Sequence, residues 1–230
     1  MSLSLFTHIE RSLTLEKRMK KLLGLLFVMA VTMGCSGSLF EYRSVSAESK
    51  NQHFETKPIY IDKTFNKEEL AIINQVVAEW NFALNGYMAW KIETVAIDHT
   101  DKLAMGRLSK KIRQTHEGIV MLGLDHDDEL VEDTIDEYDG TLAFVNNLGD
   151  RAHYMVVVRD RMGYKNIHKI LLHEFGHAMG ADHVMAESLM FPYYGHQQRN
   201  CIDKITAAQV ATYHELKMEH MNYCSTPNFE

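Results

Sequence analysis

The chain has 230 residues, with 24 Lys and Arg against 31 Asp and Glu, a formal net charge of −7 and 46% hydrophobic residues. That length fits one domain with or without a processed end, and the apolar content supports a sizeable core, which excludes a wholly disordered chain. The acidic balance argues against nucleic acid as a partner.

The first element begins at Met19 and reads MKKLLGLLFVMAVTMGC. Two lysines precede an apolar run from Leu22 to Met33, followed by Gly34 and Cys35. The run is too short to cross ~30 Å of hydrocarbon as a helix. A basic start and an apolar run are instead the pattern of an export signal. The ending is similar to a bacterial lipoprotein signal, in which the cysteine is lipidated and becomes the first residue. Thr32 stands where such signals usually carry Leu, whereas Gly34-Cys35-Ser36 fits. On this reading Met19 is the start, residues 1–18 are an upstream extension, and residues 1–34 are removed. Cys35 would anchor the chain to a bacterial membrane, and Ser36 is compatible with the outer one; a secreted protein is the other possibility. Beyond residue 34, 19 basic and 29 acidic residues remain, a net charge of −10. With Cys35 lipidated, Cys201 and Cys224 form a pair, which in an exported domain reads as a disulfide. Closing that loop would contribute roughly 3 kcal/mol on the chain-entropy account; two unrelated buried thiols are the alternative.

Residues 35–56 are polar and Ser-rich and read as a flexible tether before a folded domain at 57–230. KPIYIDKTF (57–65) alternates as a strand does. Asn66 is a candidate N-cap for a helix in which Leu70, Ile73, Val77, Trp80 and Leu84 recur at helical spacing, with Gly86 ending it. Strands follow at 89–97, 118–124, 140–147 and 152–160, the second of them apolar throughout as a central strand would be. A helix is expected from Asn166 to Gly180 and a last one from Thr206 to Leu216, with Thr206 as N-cap. Trp80 and Trp90 read as core. The stretch from Asp125 to Asp139 holds nine carboxylates in fifteen residues. It reads as a solvated loop, or as one stabilised by Ca2+, although it lacks an EF-hand pattern.

The chemistry concentrates in LLHEFGHAMGADHV, from Leu171 to Val184. On a helix, residues four apart lie ~40° apart around the axis and ~6 Å apart along it. His173 and His177 therefore share a face and can hold one ion. His183 would lie ~9 Å beyond His177 if the helix continued. The spacing makes sense only if the helix stops at Gly180, which tolerates positive φ, and the chain turns back. Three imidazoles leave one tetrahedral position open, and open zinc sites are catalytic ones. Glu174 is placed to act as general base toward a water and then as acid toward a leaving amine.

H-E-x-x-H-x-x-G-x-x-H is the metzincin signature, and the chain resembles that clan of zinc endopeptidases. SLMFPYY is similar to the Met-turn string of matrixins, which would make Met190 the apolar floor beneath the metal, and Pro192 and Tyr194 one wall of a substrate pocket. GADH matches the matrixin G-x-D-H, while Val184 stands where matrixins commonly carry Ser or Thr. No cysteine-switch motif precedes Lys57. The resemblance implies an α+β zincin-like fold with a twisted, five-stranded mixed sheet, three helices and an edge strand at 140–147 that pairs with extended substrate. A second, structural zinc in this family uses H-x-D and later histidines. His99 and Asp101, with His116 and His126 or His153, could supply such a set; exposed loop histidines are the plainer reading. His168, His214 and His220 read as surface residues, and His196 as a loop residue. The expected protein is a monomeric, exported zinc endopeptidase with one catalytic zinc and a protein or peptide substrate. The alternatives are a catalytically silent zinc-binding envelope lipoprotein and a metal-free adhesion module.

Overall fold

The computed structural model describes residues 42–43, 55–93, 96–115, 117–135, 140–149, 152–163, 165–195 and 198–225, all within one unit, Phe40–Glu230. Cys35 and the signal-like segment, His116 and His196 lie outside these residues.

In chain order the elements are β1 (Tyr42–Arg43), β2 (Glu55–Ile61), α1 (Lys67–Ala83), β3 (Met88–Ile92), α2 (Lys102–Thr115) and β4 (Gly118–Leu124). Then come α3 (Glu129–Glu132), β5 (Ala143–Gly149), β6 (Ala152–Val158), α4 (Arg159–Met162), α5 (Ile167–Ala178), α6 (Lys204–Tyr213), a 3-10 turn (Met218–His220) and β7 (Tyr223–Cys224). The sheet is five-stranded and mixed, in the order β3-β2-β4-β6-β5. β2 runs parallel to β3 and β4, and β4 parallel to β6; β5 is the antiparallel edge strand on β6.

Two crossovers decide which side each helix covers. The step from β2 through α1 to β3 moves one way across the sheet, and the step from β3 through α2 to β4 moves the other way. Right-handed crossovers in opposite directions place their helices on opposite faces. The buried side chains divide accordingly. Ile59, Ile61, Ile119, Met121, Met155 and Val157 point to the face covered by α1 and α5, whose Trp80, Leu171 and Phe175 complete that core. Tyr60, Val120, Leu122, Val156 and Val158 point to the other face and meet Ile112 of α2. β4 is buried at all seven positions, as its apolar run requires.

Local signals explain most of the element ends. Asn66 and Glu69 form a reciprocal capping box at the start of α1. α6 departs from expectation: its N-cap is Asp203, not Thr206, because the Asp203 carboxylate accepts from the N–H groups of Ile205 and Thr206. β3 ends at Ile92, while Ile97 makes an isolated parallel bridge to Asp62. β2 starts at Glu55, two residues before the expected boundary, and β1 pairs antiparallel with β7. A fourth long helix, α2, occupies a stretch to which the sequence reading assigned no element. Cys201 and Cys224 are bonded, with Cα atoms 6.2 Å apart. His153 is no loop residue: it sits on β6, 6% exposed, beside the Lys57 ammonium.

α5 stops where the sequence reading required. The N–H of Ala181 reaches back to the carbonyl of Gly176 at 2.9 Å, and that of Gly180 to His177 at 2.9 Å, the two bonds of a Schellman motif. Gly180 has φ +83°, and a Cβ there would lie 2.2 Å from the Tyr213 ring. Gly180→Ala should therefore cost about 2–4 kcal/mol in denaturant unfolding, from backbone strain plus overpacking. In a Tyr213→Ala background, which clears the space, only about 1–2 kcal/mol of strain should remain.

Burial, with the positive charge of Lys57, pushes His153 down to about 4. The unfolded chain binds this proton at higher pH than the folded one. The contribution to stability is thus complete above about 6.5 and is lost as pH falls toward 4. Denaturant unfolding should show about 1–2 kcal/mol less stability from this group at pH 5 than at pH 7, a slope that His153→Gln should remove.

Candidate metal centre

α5 carries the first two imidazoles from a buried position. Of its twelve residues nine are buried, including His173 and Glu174, because the helix lies between the sheet and the segment that follows it. Asn166 caps it, its side chain accepting from the Lys169 N–H. The Trp80 indole donates to the Leu172 carbonyl at 3.2 Å, fixing the middle of the helix against α1.

The turn at Gly180 brings the third imidazole back. His183 Nε2 lies 3.2 Å from His173 Nε2 and 3.1 Å from His177 Nε2. Ligands about 2.0–2.1 Å from a tetrahedral zinc are about 3.3 Å from one another, so these two spacings, with all three ligand atoms within 4.8 Å of one another, suit one such ion. The far nitrogens of two rings are already engaged. His173 Nδ1 donates to the Leu189 carbonyl at 2.7 Å, and His177 Nδ1 to the Ala181 carbonyl at 2.8 Å. Since a carbonyl can only accept, Nδ1 holds the proton and the Nε2 lone pair faces inward. Burial pushes His173 down to about 4 and lowers His177 and His183 as well. Neutral imidazole is the form that binds metal. Among the described residues, this triad is the one group of three or more His, Cys, Asp and Glu side chains close enough to hold an ion.

Glu174 is 6% exposed, and burial raises its carboxyl to about 8. Its Oε2 is buried with no hydrogen-bond partner among the described residues. A buried acid left in this state costs stability, and it stands next to His173 in the helix.

Met190 is fully buried and packs on α5 at Gly176, where a Cβ would sit 2.4 Å from its sulfur. Only a residue without a side chain allows that approach. Tyr194 is half-buried, and its hydroxyl accepts from the Asn166 N–H at 2.8 Å, which ties the segment after Met190 to the start of α5. Pro192 is half-buried in the same segment.

Two residues that matter here were missed by sequence reasoning. Asp203, 4% exposed, accepts from the Ser188 hydroxyl at 2.9 Å and from the Leu189 N–H at 2.6 Å. It thereby holds the residue whose carbonyl orients His173. An acidic residue immediately before a helical run is a cap signal, and it was there to be read. Lys169, one turn ahead of His173, is 8% exposed; its Nζ donates to the Gly195 carbonyl at 2.7 Å and stands 5.5 Å above the Tyr194 ring. No motif marks it.

The second zinc set does not assemble among the described residues. His99 bonds Asp62 at 3.1 Å, His126 bonds Asp160, and His153 is buried on β6. His168 is not a free surface group, for its Nε2 lies 2.9 Å from Glu79 of α1. In the acidic stretch, Asp128 caps α3.

No curated protein matches the chain significantly. The matrixin peptidase family profile matches residues 89–216, from within β3 to beyond the end of α6, a span that takes in the triad, Glu174, Gly180 and Met190. That is more than half of the chain, and on the strength of it the chain belongs to the matrixin family of metallopeptidases.

Proposed function

We propose that the protein is an exported zinc endopeptidase, held at a membrane through lipidated Cys35, that cuts internal peptide bonds of a polypeptide laid along β5. The observation that carries this reading is the convergence of three Nε2 atoms, two of them with Nδ1 committed to carbonyls, beside a buried acid whose Oε2 has no hydrogen-bond partner among the described residues.

His173, His177 and His183 would hold the metal. When bound, zinc supplies Lewis acidity that polarises a peptide carbonyl, and positive charge that favours the ionised form of Glu174. Glu174 takes a proton from the attacking water and delivers it to the leaving amine. β5, with one side unpaired in the described sheet, offers main-chain donors and acceptors to an extended substrate. Pro192 and Tyr194 line the pocket for the side chain after the cut bond. Lys169 bridges α5 to that wall and sets the depth of the pocket.

Glu174→Ala should retain zinc, measured by elemental analysis, and lose about 10²- to 10⁴-fold in peptide cleavage. Full activity in that variant would remove the acid–base role. Chelation should abolish cleavage in the parent, and added zinc should restore it. A parent protein that holds stoichiometric zinc but cuts nothing in a broad peptide library would instead favour the silent zinc-binding reading.

Lys169→Ala should keep its zinc and shift the cleavage profile toward larger apolar side chains after the cut bond, by about tenfold in relative kcat/KM, the order expected for one or two methylene groups' worth of new pocket. An unchanged profile would place Lys169 outside the pocket.

A further inference from the structure

Apart from the metal site, the outer face of α2 stands out among the described residues as a basic surface on an acidic chain. The helix KLAMGRLSKKIRQT carries Lys102, Arg107, Lys110, Lys111 and Arg113 and no acidic residue, in a chain whose net charge is −7. All five cations are exposed. Lys111 is engaged at the flank, donating to the Tyr60 hydroxyl at 2.9 Å. Lys102, Arg107, Lys110 and Arg113 have no carboxylate within ion-pair distance among the described residues. Of the acids near the helix, Asp98 pairs with Lys63, Asp101 caps it through the N–H groups of Leu103 and Ala104, and Glu117 faces Lys57; Glu93 acts on Lys111 at the flank, and exposed Glu129, Glu132 and Asp133 belong to the α3 segment on the same side of the sheet.

Met105, Leu108 and Ile112 form the inward stripe, packed on the sheet. At about 100° per residue, Leu103 points directly away from Ile112 and falls between Lys110 and Arg107. It is 70% exposed. A solvated charged face needs no leucine at its centre. A soluble polyanion would be held by the cations alone and would give that side chain nothing to bury. At a bilayer surface the two features belong together: cations meet anionic headgroups while an apolar side chain enters the interfacial layer.

We propose that the outer face of α2 is a docking surface for anionic phospholipid membranes. It is carried by residues outside the metal site, and it requires neither peptidase activity nor lipidation of Cys35. Because α2 and α5 cover opposite faces of the sheet, docking by α2 leaves the α5 face turned away from the bilayer.

The test uses the full chain with Cys35→Ser, so that no acyl chain contributes. Its cosedimentation is measured with vesicles of phosphatidylcholine alone and with about 30% phosphatidylglycerol, in low and high salt. Each basic residue near such a surface contributes about a fivefold increase in binding. The parent should prefer the anionic vesicles at least tenfold, and the preference should fade as salt rises. The set Lys102→Gln, Arg107→Gln, Lys110→Gln and Arg113→Gln should reduce the preference to about twofold or less, with zinc content and peptide cleavage in solution unchanged. Lys110→Glu alone, at the centre of the face, should weaken anionic binding at least fivefold and carries the test if the quadruple variant misfolds. Leu103→Ser should also weaken it. A parent that does not distinguish the two vesicles, or charge variants that keep the preference, would overturn the proposal. So would Leu103→Ser binding as the parent does, which would make the partner a soluble polyanion.

Discussion

Two peptide carbonyls aim the metal site. Those of Leu189 and Ala181 take the Nδ1 protons of His173 and His177, and by doing so turn two lone pairs toward a common point. Each carbonyl is itself held. Leu189 is fixed through its N–H by buried Asp203, which also caps α6. Ala181 is fixed by the bond from its own N–H to Gly176 that closes α5. The imidazoles are thus oriented by backbone whose position is set by two helix ends, a more rigid support than side chains alone would give.

That support depends in turn on packing. α5 can be buried over most of its surface because small residues stand where neighbours come close. Gly176 receives Met190, and Gly180 receives Tyr213. Trp80 and Phe175 fill the space toward α1 and the sheet with almost no exposure. A close-packed surround of this kind transmits small errors, so changes in volume at these positions reach the ligands even though none of them touches a metal.

Much of this was legible in the sequence. The triad, the break at Gly180 and the buried β4 follow from spacing and composition, because each is governed by local geometry. The cap of α1 was equally local. The helix α2 was not seen, since its inward apolar stripe is thin, carried by Met105, Leu108 and Ile112, and Gly106 weakens the helical signal. Its stability comes from the sheet it lies on, which no window of sequence contains. For the same reason the burial of His153 was unreadable: it depends on β6 lying beside β4, a pairing between residues 34 apart (Ile119 with His153). Thr206 was the expected cap and Asp203 is the observed one; both are buried and bonded to one another at 3.0 Å, and two candidates three residues apart are separated only by backbone geometry.

In the described sheet β5 has no strand on its outer side, and an edge of that kind carries a cost. An unpaired row of amide and carbonyl groups fits a second copy of the same strand as readily as it fits another polypeptide, and could seed ribbons of stacked molecules. The ladder between β5 and β6 slips between Asn147 and Gly149. Such a slip adds local coil to the strand and ends its straight run after Ala143–Asn147. A single short peptide can lie along five residues, whereas two rigid molecules meeting edge to edge would lose alignment almost at once. An irregularity of this kind works against edge-to-edge growth of such a strand into a fibre.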